Sequence, residues 1–323
     1  SAMPKAWFDN ILDDMRRVDE FAEEATYSDN PELNEMCRYV MGSGGKKFRP
    51  AVCILSYLAC GGEDRETAAK VGTAFEIIHN ASLIHDDIND NGEVRRGRRT
   101  LHREYSISKA VVVGDFLLAK GFSILAESSV DIVKVIVNAA VAMGESEFVQ
   151  QRFEHKDKVT EDDYLEIIGG KTSKLIEACA RAGAMLADSS EKSADKLGLF
   201  AAEIGVAFQI VDDVLDVTGN PHMTGKKVGL DLEEGKPTLP IIYAMEHETY
   251  GRDLASLFRK KGLSEEEKDR AIELIKSTDS LDRCLARAQS AADKALKYLS
   301  GIPESEYKES LKLLAQYTVS RDR

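Results

Sequence analysis

The 323 residues carry a formal net charge of −13, with 43% hydrophobic and 31% charged side chains, the balance of a folded globular chain and not of a disordered one. The acidic excess argues against a general nucleic-acid binder, and no apolar run approaches the roughly 18 residues of a membrane span. Five cysteines, odd in number and without metal-type spacing, predict reduced, buried thiols in a cytoplasmic protein.

Ser1-Ala2 ahead of Met3 reads as a cloning scar, and no secretory signal pattern follows it; residues 3–323 are expected to form a single domain. Gly42-Ser43-Gly44-Gly45 is the first strong break. From Ala51 to Asn220 there is no proline, as long uninterrupted helices require. Apolar residues recur there at helical spacing: Ala68, Val71, Phe75 and Ile78, then Val113, Phe116, Leu117 and Ile124, then Leu199, Ala202, Val206, Ile210 and Val214. Helices are predicted from about Ala68 to Asn89 and from about Glu191 to Val217. Thr160-Glu161-Asp162-Asp163 and Ser264-Glu265-Glu266-Glu267 are capping-box starts, and Pro303 suits a first helical turn. Further breaks fall at Asn91-Gly92 and Gly219-Asn220-Pro221. No strand-like alternation of useful length is present, so the fold class is all-α.

Each of the two long helices ends in the same pattern, DDxxD: Asp86-Asp87-Ile88-Asn89-Asp90 and Asp212-Asp213-Val214-Leu215-Asp216. On a helix the first and last carboxylates of each share a face, with the middle one about 100° around. Carboxylates crowded in this way repel unless cations lie between them. With oxygen ligands alone the cation is hard, and magnesium, completing its octahedron with water and phosphate, fits best. Placed at helix C-termini these groups also oppose the macrodipole, a local cost that function explains. An EF-hand reading of Asp87-Ile88-Asn89-Asp90-Asn91-Gly92 fails at the loop's twelfth position. Arg98 stands there in place of a bidentate glutamate.

Cations are nevertheless concentrated in short stretches near these motifs: Lys46-Lys47-Phe48-Arg49, Arg95-Arg96-Gly97-Arg98-Arg99, Lys171 to Lys174, Lys226-Lys227 and Lys236. Asn91-Gly92 can fold the arginine run back over the first carboxylates, and arginine's planar fork suits phosphate oxygens. An acidic chain arranged like this is built to bind anions through both metal ions and side chains.

Together these motifs resemble the trans-isoprenyl diphosphate synthases (polyprenyl synthetases). The resemblance rests on GGKKFRP (Gly44–Pro50), SLIHDDIND (Ser82–Asp90), RRGRRT (Arg95–Thr100), GDFLLAKGF (Gly114–Phe122), GGKTSKL (Gly169–Leu175), FQIVDDVLDVTG (Phe208–Gly219) and GKKVGLDLEEGKPTLP (Gly225–Pro240). It implies an all-helical barrel around a deep central cavity, a homodimer, and head-to-tail transfer of an allylic prenyl diphosphate onto isopentenyl diphosphate. By the same resemblance Asp86, Asp87, Asp90, Asp212, Asp213 and Asp216 hold Mg2+, three ions with substrate bound. Arg95, Lys171, Lys226 and Lys236 neutralise the allylic diphosphate, and Thr172 and Gln209 line the pocket of the allylic cation. Lys46, Arg49, His79 and Arg96 grip isopentenyl diphosphate without metal. Arg99 departs from the family pattern, which has proline there.

Chain growth is expected to stop where the tail meets a floor, and Ala81 and Ser82, one turn before the first cluster, are small enough to leave a shaft open. Ile78 and Phe75, or Tyr57 and residues near Val137, would then form the stop, and the expected product exceeds twenty carbons, with geranylgeranyl diphosphate as the alternative. A class I terpene cyclase would lack GGKKFRP and RRG, and a non-catalytic subunit commonly loses one aspartate cluster, whereas both are intact here.

Overall fold

The computed structural model describes residues 3–219 and 227–321; Ser1-Ala2 and Lys226 lie outside the described residues. Sixteen helices are described: α1 (Leu12–Ala25), α2 (Pro31–Met41), α3 (Phe48–Ala59), α4 (Arg65–Asn89), α5 (Leu101–Glu104), α6 (Ile107–Ser128), α7 (Val130–Phe153), α8 (Glu161–Ile168), α9 (Lys174–Leu186), α10 (Glu191–Thr218), α11 (Leu230–Glu234), α12 (Leu239–Met245), α13 (Gly251–Arg259), α14 (Glu265–Lys276), α15 (Ser280–Tyr298) and α16 (Glu306–Ser320).

Starts are set by local chemistry. The side chain of Asp64 caps α4 by accepting from the Thr67 amide at 3.2 Å, and that of Ser190 caps α10 through Ser193 at 3.1 Å. Both predicted capping boxes form, Thr160 with Asp163 on α8 and Ser264 with Glu267 on α14. Each satisfies two otherwise orphaned amides. Pro303 does not begin a helix: Ser305 caps α16 at the Lys308 amide, and this competing start leaves the proline in the preceding irregular segment.

Helix packing then builds the wall of a chamber. α3, α4, α9 and α10 pack side by side around a core that includes Ile54, Leu55, Phe75, Leu175, Phe200 and Ile204, while α6 lies along α4 and α15 along α10. Glycines admit the close approaches. A Cβ on Gly170 would fall 1.7 Å from Ser146 Oγ on α7, and one on Gly183 would fall 2.3 Å from the Cys53 carbonyl on α3.

Two local features depart from a purely α-helical expectation. Val94–Arg95 (β1) and Arg98–Arg99 (β2) pair antiparallel, joined by Arg96 and Gly97, both at positive φ (52° and 76°), the geometry of a tight hairpin turn. Two residues per strand are too short to register as alternation. Residues Gly169–Ser173 form one turn of π-helix between α8 and α9, a feature that recurs at functional sites.

Candidate active site

α4 and α10 bring their C-terminal turns to one cavity of about 1030 Å³, at the top of the size range of small-molecule sites. Asp86 and Asp90 line it from α4, and Asp212, Asp213 and Asp216 from α10. The two motifs, remote in sequence, therefore face a common space. Lys46, Arg49, His79, Arg95, Arg96, Lys171, Thr172, Gln209 and Lys236 line the same cavity.

Asp87 is placed differently. As the middle residue of its cluster it points around the helix, where Arg95 grips it bidentately, Nε at 3.0 Å and Nη2 at 2.7 Å. It lies outside the lining of the large cavity, against a small recess beneath the hairpin. The 100° offset between neighbours on a helix turns it aside and the Arg95 clamp keeps it there; the offset alone does not exclude a middle carboxylate, since Asp213 of the second cluster lines the cavity.

The carboxylates facing the cavity are held in demanding surroundings. Burial pushes the Asp86 carboxyl up to about 6, against the pull of Lys171. Lys236 Nζ lies 2.7 Å from Asp90 and 3.2 Å from Glu234, so although burial disfavours its charge, these anions hold its pKa well above the ordinary lysine range. Arg321 Nη2 lies 2.6 Å from Asp212 and 2.7 Å from the Phe208 carbonyl, with its guanidinium over the Phe208 ring at 3.7 Å. Asp213 accepts from Tyr164 Oη at 2.6 Å and Gln209 Nε2 at 3.0 Å; burial raises its pKa, the charge of Asp231 adds to this, and the two hydrogen bonds oppose it. Thr172 Oγ1 donates to Gln209 Oε1 at 3.0 Å, so a hydrogen-bonded chain runs from the π-turn to the second cluster. Asp216 accepts from the Asp231 amide at 3.2 Å.

A second cluster of cations lies along α3, α4 and the hairpin. Arg49 is half-buried on the cavity wall, and burial lowers its pKa despite the negative charge of Glu76 nearby. Its Nε is buried without a hydrogen-bond partner among the described residues, a costly state that an anion would relieve. His79 is held well below 6.5, first by burial and then by the charges of Arg49, Arg96 and Arg95, so it is a neutral imidazole at physiological pH. Lys46 hydrogen-bonds Tyr317 Oη, with Nζ over that ring at 4.5 Å. Gly44, Gly45 and Lys47 all have positive φ, so the GGKK turn folds tightly under the cavity.

The positions expected to set chain length divide. Ser82 lines the cavity. Ala81 does not: it is fully buried against α6 in an apolar cluster with Ile77, Val113 and Leu117. Ile78 and Phe75 are core residues outside the lining of the described cavity, Ile78 being fitted against Gly121 of α6.

Comparison with known proteins agrees with this geometry. Residues 30–275 match the sequence profile of the polyprenyl synthetase family. The chain belongs to the polyprenyl synthetase family. It is 36% identical over 314 residues to the all-trans-nonaprenyl-diphosphate synthase (geranyl-diphosphate specific) of Rhodobacter capsulatus, covering 96% of each chain. It is also 36% identical to the geranylgeranyl pyrophosphate synthase of Geoglobus acetivorans, covering 97% of this chain and 98% of that one. The crystal structure of a polyprenyl synthase from Caulobacter crescentus CB15, complexed with calcium and isoprenyl diphosphate, superposes with a TM-score of 0.93 at 31% identity, covering 98% and 97% of the two chains. This polyprenyl synthetase is thus a prenyltransferase with the all-helical isoprenoid synthase fold. No helix among its described residues is long and apolar enough to cross a membrane.

Several wall residues of the synthetase escape the motif reading. Glu76 shares a face of α4 with His79, Leu83, Asp86 and Asp90, at spacings of three and four that a helical wheel drawn back from Asp86 would have found. Glu147 and Gln150 hold Lys171 from α7, at 3.4 and 3.0 Å. Trp7 and Arg321, from opposite ends of the chain, also line the cavity; no sequence pattern marks either one.

Proposed function

We propose that this synthetase condenses an allylic prenyl diphosphate with isopentenyl diphosphate, head to tail and trans, in a Mg2+-dependent reaction that extends the product beyond twenty carbons. The observation that carries this reading is the shared cavity, with carboxylates of two helices on its walls and two separate groups of cations beside them. No three His, Cys, Asp or Glu side chains among the described residues converge as a ready-made metal cage. Magnesium suits such a site, because it takes one or two carboxylates and completes its shell with water and substrate phosphate. The donors are all oxygen, and burial raises the pKa of Asp86, a shift that a divalent cation beside it would oppose. Asp86 and Asp90 on one side, and Asp212, Asp213 and Asp216 on the other, would hold the ions, about three with substrate bound. Asp87 would act by holding Arg95. That the related Caulobacter protein was crystallised with calcium and isoprenyl diphosphate supports a divalent ion and a prenyl diphosphate as ligands of this chain as well.

Bound there, the divalent ions would neutralise the charge that develops on the leaving diphosphate. Lys171 and Lys236 add fixed positive charge to the same group, and Arg95 flanks it, preorganised by Asp87. Thr172 and Gln209 present their dipoles to the carbon end, and the carbonyl oxygen of Gln209 is oriented by its bond from Thr172. Lys46, Arg49, Arg96 and neutral His79 hold the second diphosphate so that the isopentenyl double bond faces the allylic carbon. A new carbon–carbon bond forms as the allylic carbon–oxygen bond breaks. The proton lost from the isopentenyl unit passes to the released diphosphate; His79, held well below 6.5 by burial and the neighbouring arginines, is a poor acceptor.

Small Ser82 on the cavity wall supports a long product. An exposed apolar face supports a homodimer: Val130, Val137, Val141 and Phe148 recur along α7, and Ile107, Val111 and Val112 are exposed on α6, the kind of surface that marks a protein–protein contact. Five unpaired cysteines fit a cytoplasmic setting, with residues 3–323 acting as one domain. Radiolabelled isopentenyl diphosphate supplied with each allylic primer and Mg2+ tests the reading. Extended prenyl diphosphates are the expected products; turnover of the allylic diphosphate alone to hydrocarbon would instead make the protein a cyclase.

A further inference from the structure

The second cation group contains a buried device that the cation motifs themselves do not explain. Arg96 comes from the turn of the hairpin with φ 52°, which throws its long side chain back beneath α4. There Nη1 donates to Ser43 Oγ at 3.1 Å and to Asn80 Oδ1 at 3.4 Å. Asn80 is itself fixed: Nδ2 donates to the Glu76 carbonyl at 2.9 Å and to Glu76 Oε1 at 3.1 Å. Both Asn80 and Glu76 are only 3% exposed. The amide is therefore oriented by the acid, with its oxygen presented to arginine. On the far side of the guanidinium, a Cβ on Gly45 would stand 3.2 Å from Cζ, 3.3 Å from Nη2 and 3.5 Å from Nε. Glycine there leaves uncovered the Nε–Nη2 edge, which is a fork that pairs with oxyanions.

We propose that Asn80, locked by Glu76, is the positioning residue that aims Arg96 into the pocket of the second diphosphate, and so sets the affinity for isopentenyl diphosphate without touching the allylic site. The proposal rests on the reading that this pocket takes isopentenyl diphosphate. A neutral amide suits the task. A carboxylate placed directly on Arg96 would cancel the charge that the ligand needs, whereas the amide passes on the anchoring of Glu76 and leaves the guanidinium charge in place. Arginine loses considerable rotamer freedom when it is fixed by a ligand, and a side chain already held in place has less left to lose.

Trp7 is the only tryptophan. It lines this cavity and packs against Tyr317, the hydrogen-bond partner of Lys46, with ring centroids 6.0 Å apart, so its fluorescence reports ligand in the pocket directly. The experiment titrates metal-free protein in EDTA with isopentenyl diphosphate while Trp7 emission is read, and measures KM for both substrates with Mg2+. Asn80→Leu, close in volume, is expected to raise the isopentenyl diphosphate midpoint and KM about tenfold, the effect of losing one hydrogen bond to a charged group. KM for the allylic diphosphate and kcat stay unchanged. Should Asn80→Leu fail to fold, Ser43→Ala, in the half-buried loop, removes the other bond to Arg96 and is expected to raise the same midpoint about threefold. Folded variants that leave the midpoint unmoved, or that shift both KM values together, overturn the proposal. Wild-type protein that neither titrates with isopentenyl diphosphate nor consumes it would remove the reading of the pocket, and the proposal with it.

Discussion

Asp86→Asn should make the metal-free protein more stable at neutral pH, although it removes a carboxylate from the proposed metal site. A carboxyl whose pKa is moved from 3.8 to about 6 in the folded state costs that state about 3 kcal/mol once it is ionised, at about 1.4 kcal/mol per tenfold change in acidity. Asp86 is half-buried on an open cavity, and water there screens part of this, so about 2 kcal/mol is expected. The sign follows from proton linkage. Below pH 3.8 both folded and unfolded chains hold the proton and Asp86 costs nothing. As pH rises toward 6 the unfolded chain releases it first, so the folded state loses stability relative to the unfolded one, and above 6 the loss is complete. Asparagine never ionises and avoids the loss. The assay is thermal unfolding in EDTA at pH 7.5 and pH 4, where Asp86→Asn should melt about 3 °C above wild type at the higher pH and level with it at the lower. Adding Mn2+ with inorganic diphosphate should then reverse the order, because ligands stabilise the state that binds them. A variant that melts below wild type in EDTA at pH 7.5, or a gap that persists at pH 4, would refute the reasoning.

The remaining predictions follow from single positions. Ser82→Phe puts a ring on the cavity wall one turn before Asp86 and should shorten the chromatographed products, whereas Ala81→Phe should mainly destabilise the α4–α6 packing, by about 1–3 kcal/mol. His79 is held neutral in the fold, so the unfolded chain takes up its proton first as pH falls through 6.5. Wild type should therefore lose about 1 kcal/mol more than His79→Asn between pH 7.5 and pH 5.5, read from urea midpoints. Phe148, 76% exposed on α7, should be covered in a dimer, and Phe148→Glu should reduce the mass measured by light scattering from two chains to one.

Much of this molecule is legible from the sequence because its signals are local. Helix periods, capping boxes and the two aspartate spacings each occupy a few consecutive residues, and they have structural counterparts in α4, α6, α8, α10 and α14, the Pro303 start being the exception. That each outer pair shares a side of its helix follows from the same spacing, whereas the turning of those two sides to one cavity is set by packing. What escapes depends on packing across the chain. Nothing near Asp87 says that Arg95 will draw it out of the cavity, and nothing near Ala81 says that α6 will cover it while neighbouring Ser82 stays open. The hairpin is too brief to leave an alternating pattern, and the π-turn at Gly169–Ser173 sits where α7 approaches Gly170 closely, a contact no local pattern announces. Glu76 and Asn80 carry no motif of their own; they matter because Arg96 folds back over them from sixteen residues downstream of Asn80.

Anomalous diffraction from crystals grown with Mn2+ and inorganic diphosphate would test the central claim most directly. The account predicts manganese peaks inside the cavity, within bonding distance of Asp86 and Asp90 on one wall and Asp212 on the other, bridged by one diphosphate. Manganese confined to the outer surface, or bound at one aspartate cluster with the diphosphate elsewhere, would contradict it.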